Sequence, residues 1–147
     1  MRRAATSVTD EDGSTLLLTI FYGVLGLALV LVVVSATSLY LERKRLFTLA
    51  DGAALAAAES WRLDDVRVED GELAFDLDSE SVRAAASDYL GDASHPLRGL
   101  DLVRADSADG RSATVMLRAV WQAPISSEFL PVTVPIEVTA DARSVFH

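Results

Sequence analysis

Asp92, Ser94 and His95 put a carboxylate, a hydroxyl and an imidazole within four positions. These are the residue types of nucleophilic acyl transfer, which needs them joined in a buried, oriented chain of hydrogen bonds. Here they share one short loop before Pro96, and no Gly-rich elbow surrounds either serine of that region. Metal chemistry fares no better. The two histidines, His95 and His147, are 52 positions apart, and there is no cysteine. Asp64-Asp65, Glu69-Asp70 and Asp76 with Asp78 are acidic clusters in or near turns. A hard cation such as calcium needs about six oxygens held in a defined loop, and the EF-hand pattern is absent. We therefore expect solvated surface at these clusters, no metal, no cofactor and no enzymatic activity.

The charge distribution excludes a further class. Net charge is −9 over 147 residues. Residues 46–147 hold 18 acidic and 8 basic side chains. An acidic surface without a basic stripe repels nucleic acid, so no nucleic-acid partner is expected.

The hydrophobic residues, by contrast, are concentrated. From Leu16 to Leu41 there is no charge, whereas Arg2–Asp12 and Glu42–Arg45 are charge-dense. A bilayer core about 30 Å thick needs ~20 apolar residues at about 1.5 Å each. Of the 19 residues Leu16–Val34, 14 are Leu, Ile, Val or Phe. At about −0.3 to −0.6 kcal/mol each, they favour insertion by several kcal/mol. A cleaved secretory signal is the rival, since Val34-Ser35-Ala36 supplies small residues. Its apolar region is usually about 7–15 residues with a positive flank, whereas this run is longer and Asp10-Glu11-Asp12 precedes it. The expected lipid partner is the bilayer itself, crossed once at about residues 16–41.

After the run comes a basic collar, Arg43, Lys44 and Arg45. No proline stands between Met1 and His95, so nothing covalent stops the helix at the membrane surface. Leu46, Leu49, Ala50, Ala53, Ala54 and Ala57 recur at helical spacing, which predicts one helix over 14–60 with a weak point at Gly52. Residues 1–13 are expected to form a polar tail or leader on the cytoplasmic side, and residues 61–147 a small α+β domain. Within that domain, Val66–Val68 and Leu73–Leu77 flank Asp70-Gly71 as a hairpin. A helix follows from Ser79, capped there and stopped at Gly91. Leu100–Ala105, Ala113–Trp121 and the alternation Val132, Val134, Ile136, Val138 complete an antiparallel sheet of four or five strands. Pro131 and Pro135 place the last strand at an edge. Trp61 and Trp121 are expected in the core.

Four blocks in ungapped order carry a family resemblance. They are Asp12-Gly13-Ser14, the apolar run, Arg43-Lys44-Arg45-Leu46, and Leu49-Ala50-Asp51-Gly52-Ala53-Ala54-Leu55-Ala56-Ala57-Ala58. Together, over about residues 11–60, they resemble the N-terminal region of TadE/TadG-like Flp-pilus assembly proteins, particularly the short actinobacterial kind. The resemblance implies a pilin-like fold and a membrane-anchored pilus or secretion-apparatus component with its C-terminal domain outside the cytoplasm. It also implies homo- or hetero-oligomeric association with other such subunits, and no catalytic residues. Gly13-Ser14 is then a possible processing site. The chain departs from the pilin pattern five residues beyond that bond, where Leu18 stands instead of a glutamate. Ala50, Asp51, Ala53, Ala54 and Ala57 are the candidate assembly face, although packing on the chain's own sheet explains the alanines equally well. Charge is a poor guide to orientation, with Arg2 and Arg3 on one side of the run and three cations on the other. The alternative function is a single-pass, membrane-tethered ligand-binding or sensory module of the envelope. It would be marked by a pocket on the strands of Phe75 and Trp121.

Overall fold

A computed structural model of the chain describes residues 9–60, 66–69, 72–75, 77–126 and 130–143, with side chains omitted for 9–12 and 66–75. The element order is α1 (Thr9–Ala58), β1 (Val66–Glu69), β2 (Glu72–Phe75), α2 (Ser79–Asp92), β3 (Asp101–Asp106), β4 (Ser112–Gln122) and β5 (Thr133–Arg143). The class is α+β, as expected. Contacts divide the chain into two units, Met1–Thr37 and Ser38–His147.

In the first unit, α1 carries the apolar run. Its large side chains between Leu16 and Val34 are 37–70% exposed. A core helix of a soluble domain would have them covered, so this segment is not one. It is long and apolar enough to cross a membrane. Gly52 does not interrupt the helix, which ends at Ala58, two residues short of the expected Ser60. A final turn closes it through Ser60 N–H to Ala57 O at 3.2 Å.

The second unit is built round β4. Val115, Leu117, Ala119 and Trp121 alternate on one face and are all buried. Opposite them on β5 stand Ala140, Val138, Ile136 and Val134 in antiparallel register. The other face is polar, with Arg118 bonded to Glu137 and Thr114 to Asp141 across the strands. This is the alternation of a sheet with one face on a core and one in water. α2 covers part of the core with Val82 and Ala86, both fully buried.

Two expectations need correcting. The main sheet has three strands, β3-β4-β5, not four or five. The hairpin β1-β2 forms with Glu69 opposite Glu72, but among the described residues it pairs only with itself. Its Asp70-Gly71 turn lies outside the described residues. Physically, both sheet margins resist extension. β5 is an edge strand, as its prolines suggested, and Pro135 offers no N–H to a further neighbour. β3 carries a register shift between Leu102 and Arg104, the kind of bulge that bends an edge strand. The second correction concerns α2. Its N-cap is Asp78, which accepts from Glu80 N at 2.8 Å and Ser81 N at 3.0 Å. Gly91 is helical rather than a stop, and α2 ends at Asp92 with Ala93 N–H bonded to Tyr89 O.

The β3–β4 turn gives a pH-dependent contribution. Gly110 takes φ 66°, and Asp109 Oδ1 accepts from the Ser112 hydroxyl and from the Arg111 and Ser112 amides. The Ser112 hydroxyl first, then those amides, hold the Asp109 carboxyl down at about 2. A carboxyl depressed on folding stabilises the folded state above its unfolded pKa of about 3.9, and that support is lost as pH falls toward the folded value. Asp109→Ala is thus expected to melt below the native chain at neutral pH, with the difference closing between about pH 4 and pH 2. Paired thermal melts across that range check this; a pH-independent difference contradicts it.

Candidate functional site

The residues singled out for catalysis are not assembled. Asp92 and Ser94 are exposed, and no hydrogen bond joins either to His95. His95 Nδ1 is buried without a partner among the described residues, in a groove with Arg45, Thr48, Tyr89 and Leu97. Among the described residues no three acidic or histidine side chains converge as metal ligands. Asp64-Asp65, Glu69-Asp70, Asp76 and His147 lie outside the described side chains.

The alanine motif is resolved in detail. Leu46, Ala50, Ala53, Ala54, Ala57 and Ala58 are all fully buried. They share one apolar cluster with Val115, Leu117, Ala119 and Val82. Of the two packings open to the stripe, the one in place is against the chain's own core. Small side chains suit that role, because they let a helix backbone come close to what it packs on. Asp51 points away and is exposed, as are Tyr40, Lys44, Phe47 and Leu55. Gly52 has a neighbour the sequence did not suggest. A Cβ built there would lie 2.2 Å from the Tyr89 hydroxyl, so the missing side chain is what admits the α2 tyrosine.

Gly13 and Ser14 lie within α1 and are exposed, and Leu18 is 55% exposed. The collar residues Arg43, Lys44 and Arg45 are exposed too. Arg45 approaches Glu42 at 3.7 Å, an i,i+3 pair in which the arginine is exposed and the glutamate largely shielded.

One feature lay beyond the reach of sequence patterns. Trp121, 6% exposed, donates its indole N–H to the Ser38 hydroxyl at 3.2 Å, across 83 positions. Beside that bond is an open cleft of about 340 Å³ lined by Ser38, Glu42, Arg98, Trp121, Gln122 and Ser126 among others. The Arg98 guanidinium is anchored on Gln122 Oε1. Backbone also ties this corner together, with Val120 N–H bonded to Arg98 O at 2.9 Å. Trp121 is therefore both core and cleft wall. Phe75, named with it as a pocket marker, lies outside the described side chains. Chemically the cleft offers a cation, an anion and neutral hydroxyl and amide groups within one small space.

Compared with known proteins, residues 13–60 match the family model of putative Flp pilus-assembly TadE/G-like proteins. The matched stretch covers α1 from Gly13 to its end and stops two residues beyond it. No curated protein and no solved structure matches the chain.

Proposed function

We propose that this chain is a membrane-anchored component of a Tad/Flp-type pilus or related secretion apparatus. It acts by protein–protein association and does no chemistry. The observation carrying this proposal is the family match, which coincides with α1. The exposed apolar run supplies the anchor, and the three-stranded α+β unit stands outside the cytoplasm.

The buried alanines shift where association would occur. With Ala50, Ala53, Ala54 and Ala57 taken up internally, the surface left for other subunits is the opposite face, which includes Asp51 and the collar. The bilayer boundary also moves. Glu42 lines a polar cleft with Arg98, and Ser38 holds the Trp121 indole. Charged groups at bilayer depth are costly. We therefore place the span at residues 14–37 rather than 16–41, ending about one helical turn earlier. At ~1.5 Å per residue it is ~36 Å long, enough for a core of about 30 Å.

Deleting the gene is expected to abolish or sharply reduce assembled pili, counted by electron microscopy, with restoration by the intact gene. Unchanged pilus numbers would reject the assembly role. Protease shaving of intact cells in the same strain is expected to degrade the C-terminal unit; a protected C-terminal tag would reverse the orientation.

A further inference from the structure

We propose that the Ser38–Arg98 cleft binds the headgroup of a zwitterionic phospholipid, a phosphate joined to an ammonium as in phosphatidylethanolamine. This rests on the membrane placement of α1 proposed above. The cleft lining includes one cation and one anion, Arg98 and Glu42. Arg98 has five N–H donors in a planar fork, and the Gln122 Oε1 bond leaves donors for a phosphate. Glu42 has a carboxylate 3.7 Å from Arg45, beyond hydrogen-bond distance, so it can accept from an ammonium. Its side chain is 19% exposed, shielded enough for such a pair to count for more than on open surface.

Position adds to the chemistry. Ser38 and Glu42 flank the end of the uncharged run, which closes at Leu41. Headgroups are met where an uncharged run gives way to charge, as it does here at Glu42. Trp121 forms the adjoining wall, an apolar ring with a polar edge, a type favoured at membrane interfaces. The volume of about 340 Å³ is at the low end for small-molecule sites, sized for a headgroup and not for a whole lipid. An anionic headgroup without an ammonium would leave Glu42 facing a negative charge. That repulsion makes the cleft selective.

The test uses the full chain, purified from vesicles containing equal phosphatidylethanolamine and phosphatidylglycerol, with retained lipid counted by native mass spectrometry. Phosphatidylethanolamine should be retained about tenfold over phosphatidylglycerol. Arg98→Gln and Glu42→Gln should each reduce that retention about tenfold, as expected for one lost charge-assisted hydrogen bond. Arg45→Gln should leave it intact, separating the cleft from the collar pair. In a Trp61→Phe background, Trp121 emission should respond to free phosphoethanolamine and much less to inorganic phosphate. Equal retention of the two lipids would overturn the proposal. So would dependence on Arg98 without Glu42, or equal response to inorganic phosphate, since either describes a simple anion site. Failure of the chain to fractionate with membranes would instead sink the anchor itself; membrane association without headgroup preference would sink only this inference.

Discussion

Leu46→Ala is expected to lower the unfolding free energy of the unit beginning at Ser38 by ~2–5 kcal/mol, the usual cost of emptying a buried leucine site. Leu46 is one of the largest fully buried side chains in the described structure, together with Leu117, Val82 and Val115. Its neighbours on that face of α1 are Ala50, which has no side-chain freedom, and the partly buried Leu39 and Leu49. Where the loss falls in that range depends on how far those two leucines relax into the void. Phe47, next in sequence, is 48% exposed. Phe47→Ala is expected to change stability by no more than about 0.5–1 kcal/mol. Denaturant unfolding of the full chain in detergent, followed by tryptophan emission, measures both. Equal effects at the two positions would mean that α1 does not belong to the core. The comparison bears on function, because Leu46 sits in the family-matched helix and β4 does not. A stable unit would need both, so α1 from Ser38 onward is a core element as well as an extension of the anchor.

This dual use explains which parts of the molecule were legible in the sequence. The continuity of α1 past the apolar run could be read directly, because a run without proline followed by alanines at helical spacing leaves few alternatives, although the helix begins at Thr9 and not at residue 14. β4 was equally plain, with Val115, Leu117, Ala119 and Trp121 at a period of two. What those elements pack against was not legible. Alanine at Ala50, Ala53, Ala54 and Ala57 permits close approach to any partner, internal or external, and the choice depends on residues far along the chain, from Val82 on α2 to Val115 and Leu117 on β4. Sheet membership failed for the same reason. Local alternation shows that Val66–Glu69 and Glu72–Phe75 form strands, but it does not say that they pair only with each other. The cap of α2 shows a finer ambiguity. Asp78 and Ser79 are both able to cap, and the helix start is decided by which oxygen reaches the free amides of Glu80 and Ser81. The cleft left no local trace at all. Ser38, Arg98 and Trp121 are ordinary residues in sequence, joined only when β4 comes alongside the helix turn that begins the second unit.

Replacing Leu25 and Leu29 together with aspartate is expected to remove the chain from the membrane. If α1 crosses the bilayer over residues 14–37, these positions lie near its centre. Each aspartate there costs ~2.5–3.5 kcal/mol, and each lost leucine forfeits about 0.3–0.6 more. The pair therefore opposes insertion by ~6–8 kcal/mol. The 14 Leu, Ile, Val and Phe residues of Leu16–Val34 favour it by ~4–8 kcal/mol. The two quantities are comparable, so one substitution should weaken anchoring and two should defeat it. Aspartate suits the purpose because acidic residues contribute little to the orientation rule, whereas added arginines could turn the helix round. Tyr40→Asp is the control, a single acidic substitution at the edge of the run and not at its centre. It falls inside a span of 16–41 but outside one ending at Thr37, and Tyr40 is 66% exposed, so its replacement disturbs no core. Carbonate extraction of membranes reads the result. The double variant should move to the soluble or degraded fraction while Tyr40→Asp stays in the pellet. Loss of Tyr40→Asp from the pellet as well would mean that the double variant fails for a reason other than the cost of burying charge in the bilayer. Retention of the double variant would mean that α1 is held by a protein partner rather than by lipid.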